Sequence, residues 1–213
     1  MKENASLFGG PDFSLERAAG APKRLIAGVD EAGRGAWAGP LVAAAVVLDP
    51  KNIPAGLDDS KKLSVKKRDL LFDIILASAD VGIGFGTVEQ IEVRNVLNAT
   101  MDAMRDAINS LKGAPDMALI DGNKVPLLQC NAEAFVGGDG RSVSIAAASI
   151  IAKVTRDRIM QTLAGDFPGY GWEKNVGYGV PVHKAGLESL GVTPHHRRSY
   201  KPIRNILGAA PST

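Results

Sequence analysis

The stretch that begins at residue 25 constrains the fold of this chain more than any other. Residues 25–29 form a short apolar run with the length and residue types of a buried strand, and 41–48 form a second one. Between them stand two adjacent carboxylates, Asp30 and Glu31, and a glycine-rich loop. Ionised carboxylates beside a buried strand are costly unless a positive charge pairs with them. A bound divalent cation and Arg34 are both candidates for that charge.

The rest of the chain alternates between strand and helix patterns. Strands are predicted at 81–87, where apolar residues alternate with glycine, at 117–120 and at 132–136. Helices are predicted from a Ser64 cap to residue 78, from about 93 to 111, at 142–163, at 181–190 and from Pro194 onward. The alternating glycines predict a closely approached strand face, and Ala146–Ala148 allow their helix to pack closely on a sheet. This order predicts an α/β domain with a mixed sheet and a helical C-terminal end.

Length and charge limit the domain organisation. The 213 residues suffice for one large domain, and we expect a flexible arm at 1–22 followed by a single domain at 23–213. Within it, about 165–213 is expected to form a helical, basic extension. From residue 151 onward there are nine Lys or Arg and four Asp or Glu. That excess suits an anionic partner, although a solvated helical surface has the same composition.

Compartment and membrane association follow from two further features. The single cysteine, Cys130, excludes an internal disulfide and fits a reducing compartment. No apolar run reaches the ~18 residues of a membrane span, and residues 1–22 lack the pattern of a secretory signal peptide. We therefore expect a cytoplasmic protein with no membrane partner.

Four acids stand at strand ends or in adjoining glycine loops: Asp30, Glu31, Asp121 and Asp139. Ligand sites lie where strand ends converge, and carboxylates suit Mg²⁺ and Mn²⁺, two of which can activate water in phosphodiester cleavage. Simpler roles exist, because Asp121 could begin an Asp-Gly turn and Asp139 could cap the next helix. The residues alone do not choose between Asp139 and Asp157. Because strand neighbours point to opposite faces, Asp30 and Glu31 share a site only if the strand ends or bulges there.

Several motifs resemble those of bacterial ribonuclease HII and occur in that family's order. They lie at 28–35 with 38–40, 59–63, 95–100, 120–123, 146–157, 177–179 with His183, and 196–199, and together they span about 25–203. The resemblance implies a ribonuclease H-like mixed sheet flanked by helices, with a helical C-terminal extension. It also implies an endoribonuclease that hydrolyses the RNA strand of RNA–DNA hybrids. The family further nicks duplex DNA on the 5′ side of single embedded ribonucleotides, leaving 3′-hydroxyl and 5′-phosphate ends, which begins ribonucleotide excision repair.

By this resemblance, the catalytic and metal-binding quartet falls on Asp30, Glu31, Asp121 and Asp139, and Asp157 is not a ligand. The implied cofactor is Mn²⁺ or Mg²⁺, with two ions in the catalytic complex. No side chain is expected to form a covalent intermediate. The implied partners are RNA–DNA hybrids and ribonucleotide-containing duplex DNA, bound by a monomer, with replication or repair proteins as further partners. Residues 208–213 are either such a contact or a frayed tail.

The resemblance also assigns substrate contacts. Gly33-Arg34-Gly35 resembles the element that contacts the ribonucleotide's 2′-hydroxyl, and glycines let backbone groups approach it; a tight turn would need the same glycines. Tyr178 matches a tyrosine that stacks on the sugar after the ribonucleotide, and its alternative is a core tyrosine with a solvated hydroxyl. Five basic residues are predicted phosphate contacts, each with the alternative of a solvated surface charge: Lys61, Lys62, Lys184, Arg197 and Arg198.

Two departures from the pattern bear on these expectations. Ala36-Trp37 stands where the family usually has Pro-Leu. Because a proline would stiffen the loop, pre-organisation of 2′-hydroxyl recognition is either weaker here or supplied by Trp37. The related ribonuclease HIII has a sizeable extra N-terminal domain and a different acid in the quartet. Residues 1–22 are too short for that domain, which favours HII.

Two rival functions remain open from the sequence. Another nuclease on a similar fold would share the carboxylates but would not need the Gly33-Arg34-Gly35 loop or Tyr178. A non-catalytic binder of RNA–DNA hybrids would have to tolerate four acids that repel a phosphate backbone. The substrate that is cleaved, and whether cleavage occurs at all, separates the three.

Overall fold

The computed structural model describes residues 10–208, and within them the chain forms a five-stranded sheet with helices on both faces. In chain order the elements are α1 (Ser14–Ala18), β1 (Ile26–Ala32), β2 (Leu41–Val47), α2 (Val65–Ser78), β3 (Asp80–Gly86), α3 (Val88–Asn109), β4 (Met117–Asp121), β5 (Asn131–Phe135), a 3₁₀ turn (Gly138–Gly140), α4 (Val143–Asp166), α5 (Trp172–Asn175), α6 (Pro181–Leu190) and α7 (Lys201–Gly208). Between residues 10 and 208, none of the helices has the length and apolarity to cross a bilayer.

The sheet has the order β3-β2-β1-β4-β5 and is mixed. β2 is antiparallel to both β1 and β3, whereas β4 is parallel to both β1 and β5. The predicted α/β class with a mixed sheet is therefore confirmed. Because β1 and β4 are parallel neighbours, their C-terminal ends lie at the same edge of the sheet. This edge receives Asp30 from β1 and Asp121 from β4.

The two faces of the sheet are covered by different helices. On β2, Ala43 and Ala45 contribute to the core formed with α3, while Ala44 and Val46 contribute to the core formed with α2 and α4. This is the period-two alternation of a strand that is buried on both faces. It explains why β2 is apolar at every position, as the sequence predicted.

Glycine allows two helices to pack directly on strand backbone. A β-carbon built on Gly82 would lie 2.0 Å from the carbonyl oxygen of Ala107, and one on Gly84 would lie 2.0 Å from that of Ala103, both in α3. A β-carbon on Gly28 would lie 2.1 Å from the backbone of α4 at Ser144. The prediction that the glycine-rich strand is closely approached is confirmed. The same holds for the fully buried Ala146–Ala148, which pack α4 on the sheet.

Several boundaries differ from, or refine, the predictions, and α3 begins at Val88, five residues before its predicted start. β1 does not end or bulge at its acids but stays paired with β2 through Ala32. The predicted cap at Ser64 is confirmed, because its hydroxyl accepts from the Lys67 N–H. The last helix begins at Lys201 and not at Pro194. Residues 195–197 cannot be helical, since their backbone bonds to the loop after β1: the Gly39 N–H donates to the His195 carbonyl, 2.8 Å.

The expected arm at 1–22 falls into two parts. Residues 1–9 lie outside the described residues, as do 209–213, which include most of the expected tail or partner contact. Residues 14–18 form α1, so a loose arm does not extend over them. The fully buried Glu16 accepts hydrogen bonds from the Ser142 hydroxyl and, at 2.9 Å, from the Ser144 N–H, both at the start of α4. A carboxylate there interacts favourably with the helix N-terminus, which fixes α1 to the domain.

Candidate active site

Three carboxylates meet at the edge of the sheet where β1 and β4 end. Asp30, Asp121 and Asp139 each offer an oxygen within 4.8 Å of the others. The backbone N–H of Gly138 donates to Asp121 at 2.7 Å, which ties the 3₁₀ turn carrying Asp139 to the end of β4. Asp139 does not cap α4, because the cap is Ser142, whose hydroxyl accepts from the Ile145 N–H at 3.1 Å. The alternative role considered for Asp139 is therefore excluded.

The charges of this cluster repel one another. Burial, followed by the charges of Glu31 and Asp121, raises the pKa of Asp30 well above its usual range. Burial and then the charge of Asp121 also raise the pKa of Asp139. The Lys61 ammonium lies 3.7 Å from Asp139, but its side chain is 76% exposed. Closely spaced oxygen donors with so little compensating charge fit a hard divalent cation.

Glu31 lies beside this cluster and not within it. Its carboxylate pairs with the Arg34 guanidinium at 3.3 Å. Burial raises the pKa of Glu31, and the charge of Arg34 opposes that rise. Of the two positive partners considered from the sequence, Arg34 thus serves Glu31. Both acids nevertheless line one cavity and interact through their charges although β1 continues past them, so the expectation that they share a site only at a strand end or bulge is wrong.

Asp157 is placed elsewhere. It stands on α4 and pairs with Lys153, four residues earlier, at 2.7 Å. That pair accounts for its charge within the helix. Of the two acids that the residues alone could not separate, the structure brings Asp139, and not Asp157, to Asp30 and Asp121.

A cavity of about 480 Å³ opens beside the carboxylates. The sequence-predicted groups that line it come from four separate segments of the chain: Asp30, Glu31, Gly33, Arg34, Gly35, Lys61, Asp121 and Tyr178. Gly35 and Tyr178 are direct neighbours, because a β-carbon built on Gly35 would lie 3.8 Å from Cε1 of the tyrosine. The fold therefore places the glycine loop, the tyrosine and the acids around one space.

Arg197 does not have the predicted position of a phosphate contact. Its side chain is fully buried, and its guanidinium donates to the carbonyls of Gly39 at 2.9 Å and Arg34 at 2.8 Å. A further bond reaches the Tyr200 hydroxyl at 2.9 Å. Burial accordingly lowers the pKa of Arg197. It holds the backbone of the glycine loop, and its charge is turned away from solvent.

Arg156 is a second buried arginine that binds backbone carbonyls, here just beyond the glycine loop and before Tyr178. It is 1% exposed and donates to the carbonyls of Pro40 at 2.8 Å, Val176 at 2.9 Å and Ala38 at 3.1 Å. Burial lowers its pKa to about 10. A β-carbon on Gly33 would lie 1.9 Å from its Nε, so this glycine is required for close approach as well as for its φ of +93°. In the sequence, Arg156 is one charge in a helical pattern, and nothing there marks it as buried.

Tyr178 stands on a strained turn. Val176 has a φ of +44°, which is unusual for a β-branched residue, and Gly177 follows at +84°. The carbonyl of Val176 is one of those held by Arg156. Tyr178 itself is 39% exposed, so its ring is accessible from the cavity. Backbone strain that neighbouring groups hold in place is typical of functional sites.

A buried histidine pair lies behind the tyrosine. The Nε2 atoms of His183 and His196 are 3.0 Å apart, and the Trp172 indole N–H donates to His183 at 3.1 Å. Nδ1 of His183 lies 3.0 Å from the Tyr178 carbonyl. Burial, with the neighbouring ring, lowers the pKa of His196 to about 4, and burial also lowers that of His183. In the sequence, both histidines stand out only as parts of the family motifs.

The remaining predicted phosphate contacts lie at the surface. Lys62 pairs with Asp58 at 3.3 Å, and Lys184 lies 3.9 Å from Glu188. Arg198 is exposed beside the buried Arg197. Exposed ion pairs of this kind contribute little stability, so these side chains are free to rearrange toward an anionic ligand.

Comparison with known proteins gives a consistent result. The family model described as Ribonuclease HII matches residues 27–203. The ribonuclease HII of Ruegeria pomeroyi is 57% identical over 199 residues, which cover 92% of this chain and 85% of that protein. The crystal structure of ribonuclease H2 from Pyrococcus horikoshii superposes with a TM-score of 0.75 at 32% identity, covering 85% and 96% of the two chains. A ribonuclease HII from Archaeoglobus fulgidus, solved in complex with PCNA, gives 0.73 at 28%, covering 83% and 95%.

Proposed function

This chain belongs to the ribonuclease HII family, and from that membership we propose that it nicks duplex DNA on the 5′ side of single embedded ribonucleotides. As a family member it is a metal-dependent ribonuclease H that hydrolyses RNA paired with DNA. The finer activity gives 3′-hydroxyl and 5′-phosphate ends and begins ribonucleotide excision repair.

The shared cavity is the observation that carries this proposal. It is lined both by Asp30 and Asp121 and by the pair that would sense ribose, the Gly33-Arg34-Gly35 loop and Tyr178. The 2′-hydroxyl is the local difference between RNA and DNA. A nuclease without sugar discrimination would have no need of a glycine loop and a neighbouring tyrosine beside its acids.

The carboxylates are assigned as the metal ligands. Asp30, Asp121 and Asp139 would hold the cations and Glu31 would complete the set. Two bound Mn²⁺ or Mg²⁺ ions would supply the positive charge that activates water and stabilises the leaving oxygen. The chain's own groups orient the ligands: the Gly138 N–H fixes Asp121, and Arg34 holds Glu31. Gly33 to Gly35 present backbone groups to the ribonucleotide, and Tyr178 stacks on the next sugar.

The segment from 165 onward is proposed as the basic part of the substrate-binding surface within one domain. Lys184 and Arg198 are exposed there and would contact phosphates, which sets register without reading sequence. Lys61, which lines the cavity, and the exposed Lys62 would do so as well. We further propose that the protein acts as a monomer in the cytoplasm, with replication or repair proteins as partners; the A. fulgidus relative solved with PCNA supports this class of partner.

A labelled DNA duplex that contains one ribonucleotide tests the proposal. We expect a nick 5′ of the ribonucleotide that requires Mg²⁺ or Mn²⁺, with a product that a polymerase can extend and whose 5′ end carries phosphate. Substrate controls are an all-DNA duplex and a long RNA–DNA hybrid, and the protein control is Asp30→Asn.

The outcomes separate the rivals. Cleavage of the all-DNA duplex would favour a general nuclease, whereas metal-independent binding without cleavage would favour a hybrid-binding protein. Cleavage of long hybrids alone would leave the acids assigned and remove the junction-sensing role of Tyr178.

A further inference from the structure

Trp37 and Ala36 depart from the family pattern, and Trp37 lies directly against the segment that carries Tyr178. A β-carbon built on Gly179 would lie 2.1 Å from Cε2 and Cζ2 of the Trp37 indole. The indole therefore covers the α-carbon of the residue that follows Tyr178. The φ of Gly179 is not in the left-handed region, so the indole is what excludes a side chain at this position.

The backbone of Trp37 connects the same segments. Its N–H donates to the carbonyl of Gly177 at 2.8 Å, and its carbonyl accepts from the Arg197 N–H at 2.8 Å. Both residues that flank Tyr178 thus contact Trp37, one through backbone and one through the indole. Because Trp37 follows the Gly33-Arg34-Gly35 loop by two residues, it joins the loop to the tyrosine.

His183 also contacts both Trp37 and the backbone of Tyr178. Its ring centroid lies 5.7 Å from that of Trp37, and its Nδ1 lies 3.0 Å from the Tyr178 carbonyl. The backbone around Tyr178 is therefore held by the indole and by the imidazole, while the phenol ring stays 39% exposed. The backbone of Tyr178 is thus held in place while its phenol ring is free to contact a substrate.

We propose that Trp37 is a positioning residue that determines specificity by setting the place of Tyr178 relative to the glycine loop. The inference rests on the proposed function, in which Tyr178 stacks on the sugar after the ribonucleotide. At a single ribonucleotide that sugar is deoxyribose, whereas in a long hybrid it is ribose. Displacing a substrate-contacting group by about 1 Å can lower the rate up to about 100-fold. Because Tyr178 would contact the deoxyribose that follows a single ribonucleotide, loss of Trp37 should lower the rate mainly on single-ribonucleotide substrates.

A double-mutant cycle on the full chain tests this. The quantity measured is the ratio of kcat/KM on a single-ribonucleotide duplex to kcat/KM on a long RNA–DNA hybrid, for wild type, Trp37→Ala, Tyr178→Ala and the double variant. We expect Trp37→Ala to lower the ratio about tenfold or more and Trp37→Phe to restore part of it. In the Tyr178→Ala background, Trp37→Ala should change the ratio no further, because it acts through the tyrosine.

The outcomes are distinguishable. If Tyr178→Ala leaves the ratio unchanged, both the proposed role of the tyrosine and this inference are overturned. If Tyr178→Ala lowers the ratio but Trp37→Ala does not, or if the two effects multiply independently, only the inference is overturned. Phe72→Leu, in the core on the α2 side of the sheet, is the matched control for lost packing and should leave the ratio unaltered.

A second pair of variants tests the contact without removing the indole first. Gly179→Ala should displace the indole and lower the ratio, and Trp37→Ala in the same protein should remove that clash and raise the melting temperature relative to Gly179→Ala alone. In protein labelled with 3-fluorotyrosine, the ¹⁹F resonance of Tyr178, assigned with Tyr178→Phe, should shift or broaden in Trp37→Ala. An unchanged resonance together with an unchanged ratio would contradict the proposal.

Discussion

The Nε2 atoms of His183 and His196 lie 3.0 Å apart, and both rings are buried. One nitrogen must donate and the other accept, so the rings are neutral. The backbone N–H of Thr193 donates to Nδ1 of His196 at 2.9 Å, which leaves its Nε2–H to donate to His183. This fixes both tautomers, with Nδ1–H of His183 directed at the Tyr178 carbonyl. A proton added to Nε2 of His183 would break the bond between the rings, and one added to Nδ1 of His196 would break the bond from the Thr193 N–H.

The free energy of unfolding should therefore decrease as the pH is lowered through the range in which these two histidines titrate. Both histidine pKa values are lowered on folding, that of His196 to about 4. The unfolded chain binds more protons between there and its own value of about 6.5, so the contribution is complete above about pH 6.5 and is lost as pH falls toward 4. His196 adds up to about 1.4 kcal/mol per pH unit in that window, and His183 contributes with the same sign.

Urea unfolding between pH 4.5 and 7.5 measures this slope. His196→Gln keeps a donor but cannot titrate, so it should reduce the slope; an equal slope in both proteins would contradict the assignment.

Asp30→Asn should stabilise the metal-free protein while removing its activity. The neutral amide is not subject to the burial cost and repulsion that raise the pKa of Asp30. A gain of about 1 kcal/mol would raise Tm by about 2–4 °C in a chain of this size. Metal-dependent cleavage should fall by at least about a hundredfold.

Thermal unfolding in EDTA and then in MnCl₂ checks this. Mn²⁺ should raise the Tm of wild type and have little effect on the variant, because only a folded site binds it. A metal-free Asp30→Asn protein less stable than wild type would count against the repulsion.

Arg197 and its neighbour Arg198 should respond in opposite ways. Arg197→Lys leaves buried carbonyls without their donors and should lower the free energy of unfolding by about 1–3 kcal/mol. It should not change the salt dependence of substrate binding. Arg198→Ala should keep stability and reduce the slope of log K against log salt by about 1. Binding isotherms at several salt concentrations, together with urea unfolding, test both variants. A reduced salt slope in Arg197→Lys would support the original prediction that Arg197 contacts phosphate.

Gly33→Ala should cost more stability than Gly122→Ala. The two glycines have similar φ values, +93° and +96°, so the conformational strain of about 1–2 kcal/mol is shared. Only at Gly33 does the new β-carbon meet a side chain, Arg156, whereas Gly122 has nothing within 4 Å. Thermal unfolding of both variants isolates the effect of displacing Arg156. Equal losses would mean that the guanidinium moves aside without cost.

Much of the scaffold could be predicted because its signals are local. The alternating glycines of β3 predicted the close approach of α3, and Ser64 predicted the start of α2. The carboxylates at the ends of β1 and β4 predicted a convergent site, since parallel strand ends share an edge. Each of these follows from residue type and period alone.

The buried arginines that hold the backbone around the site could not be predicted from residue type and period. Arg156 and Arg197 belong to residue types that are mostly exposed. Their burial depends on carbonyl groups of residues 34–40, which only the folded chain brings within reach. The start of the last helix differs from its prediction for the same reason, because backbone hydrogen bonds join His195 and Arg197 to that loop. The ion pair of Glu31 with Arg34 likewise depends on how far β1 continues.

The two buried arginines hold the loop from Arg34 to Pro40 by its carbonyl oxygens, and every residue type provides the same carbonyl. Substitutions in the loop therefore leave its anchors chemically unchanged, which is how Ala36-Trp37 can replace Pro-Leu without loss of the turn. The shape of the loop is encoded about 120 residues later in α4, at Arg156, and again beyond α6, at Arg197. These anchors thereby tolerate a change of side chain at positions such as 36 and 37, whereas Gly33 and Gly39 must remain without a β-carbon, which would meet Arg156 and Met160.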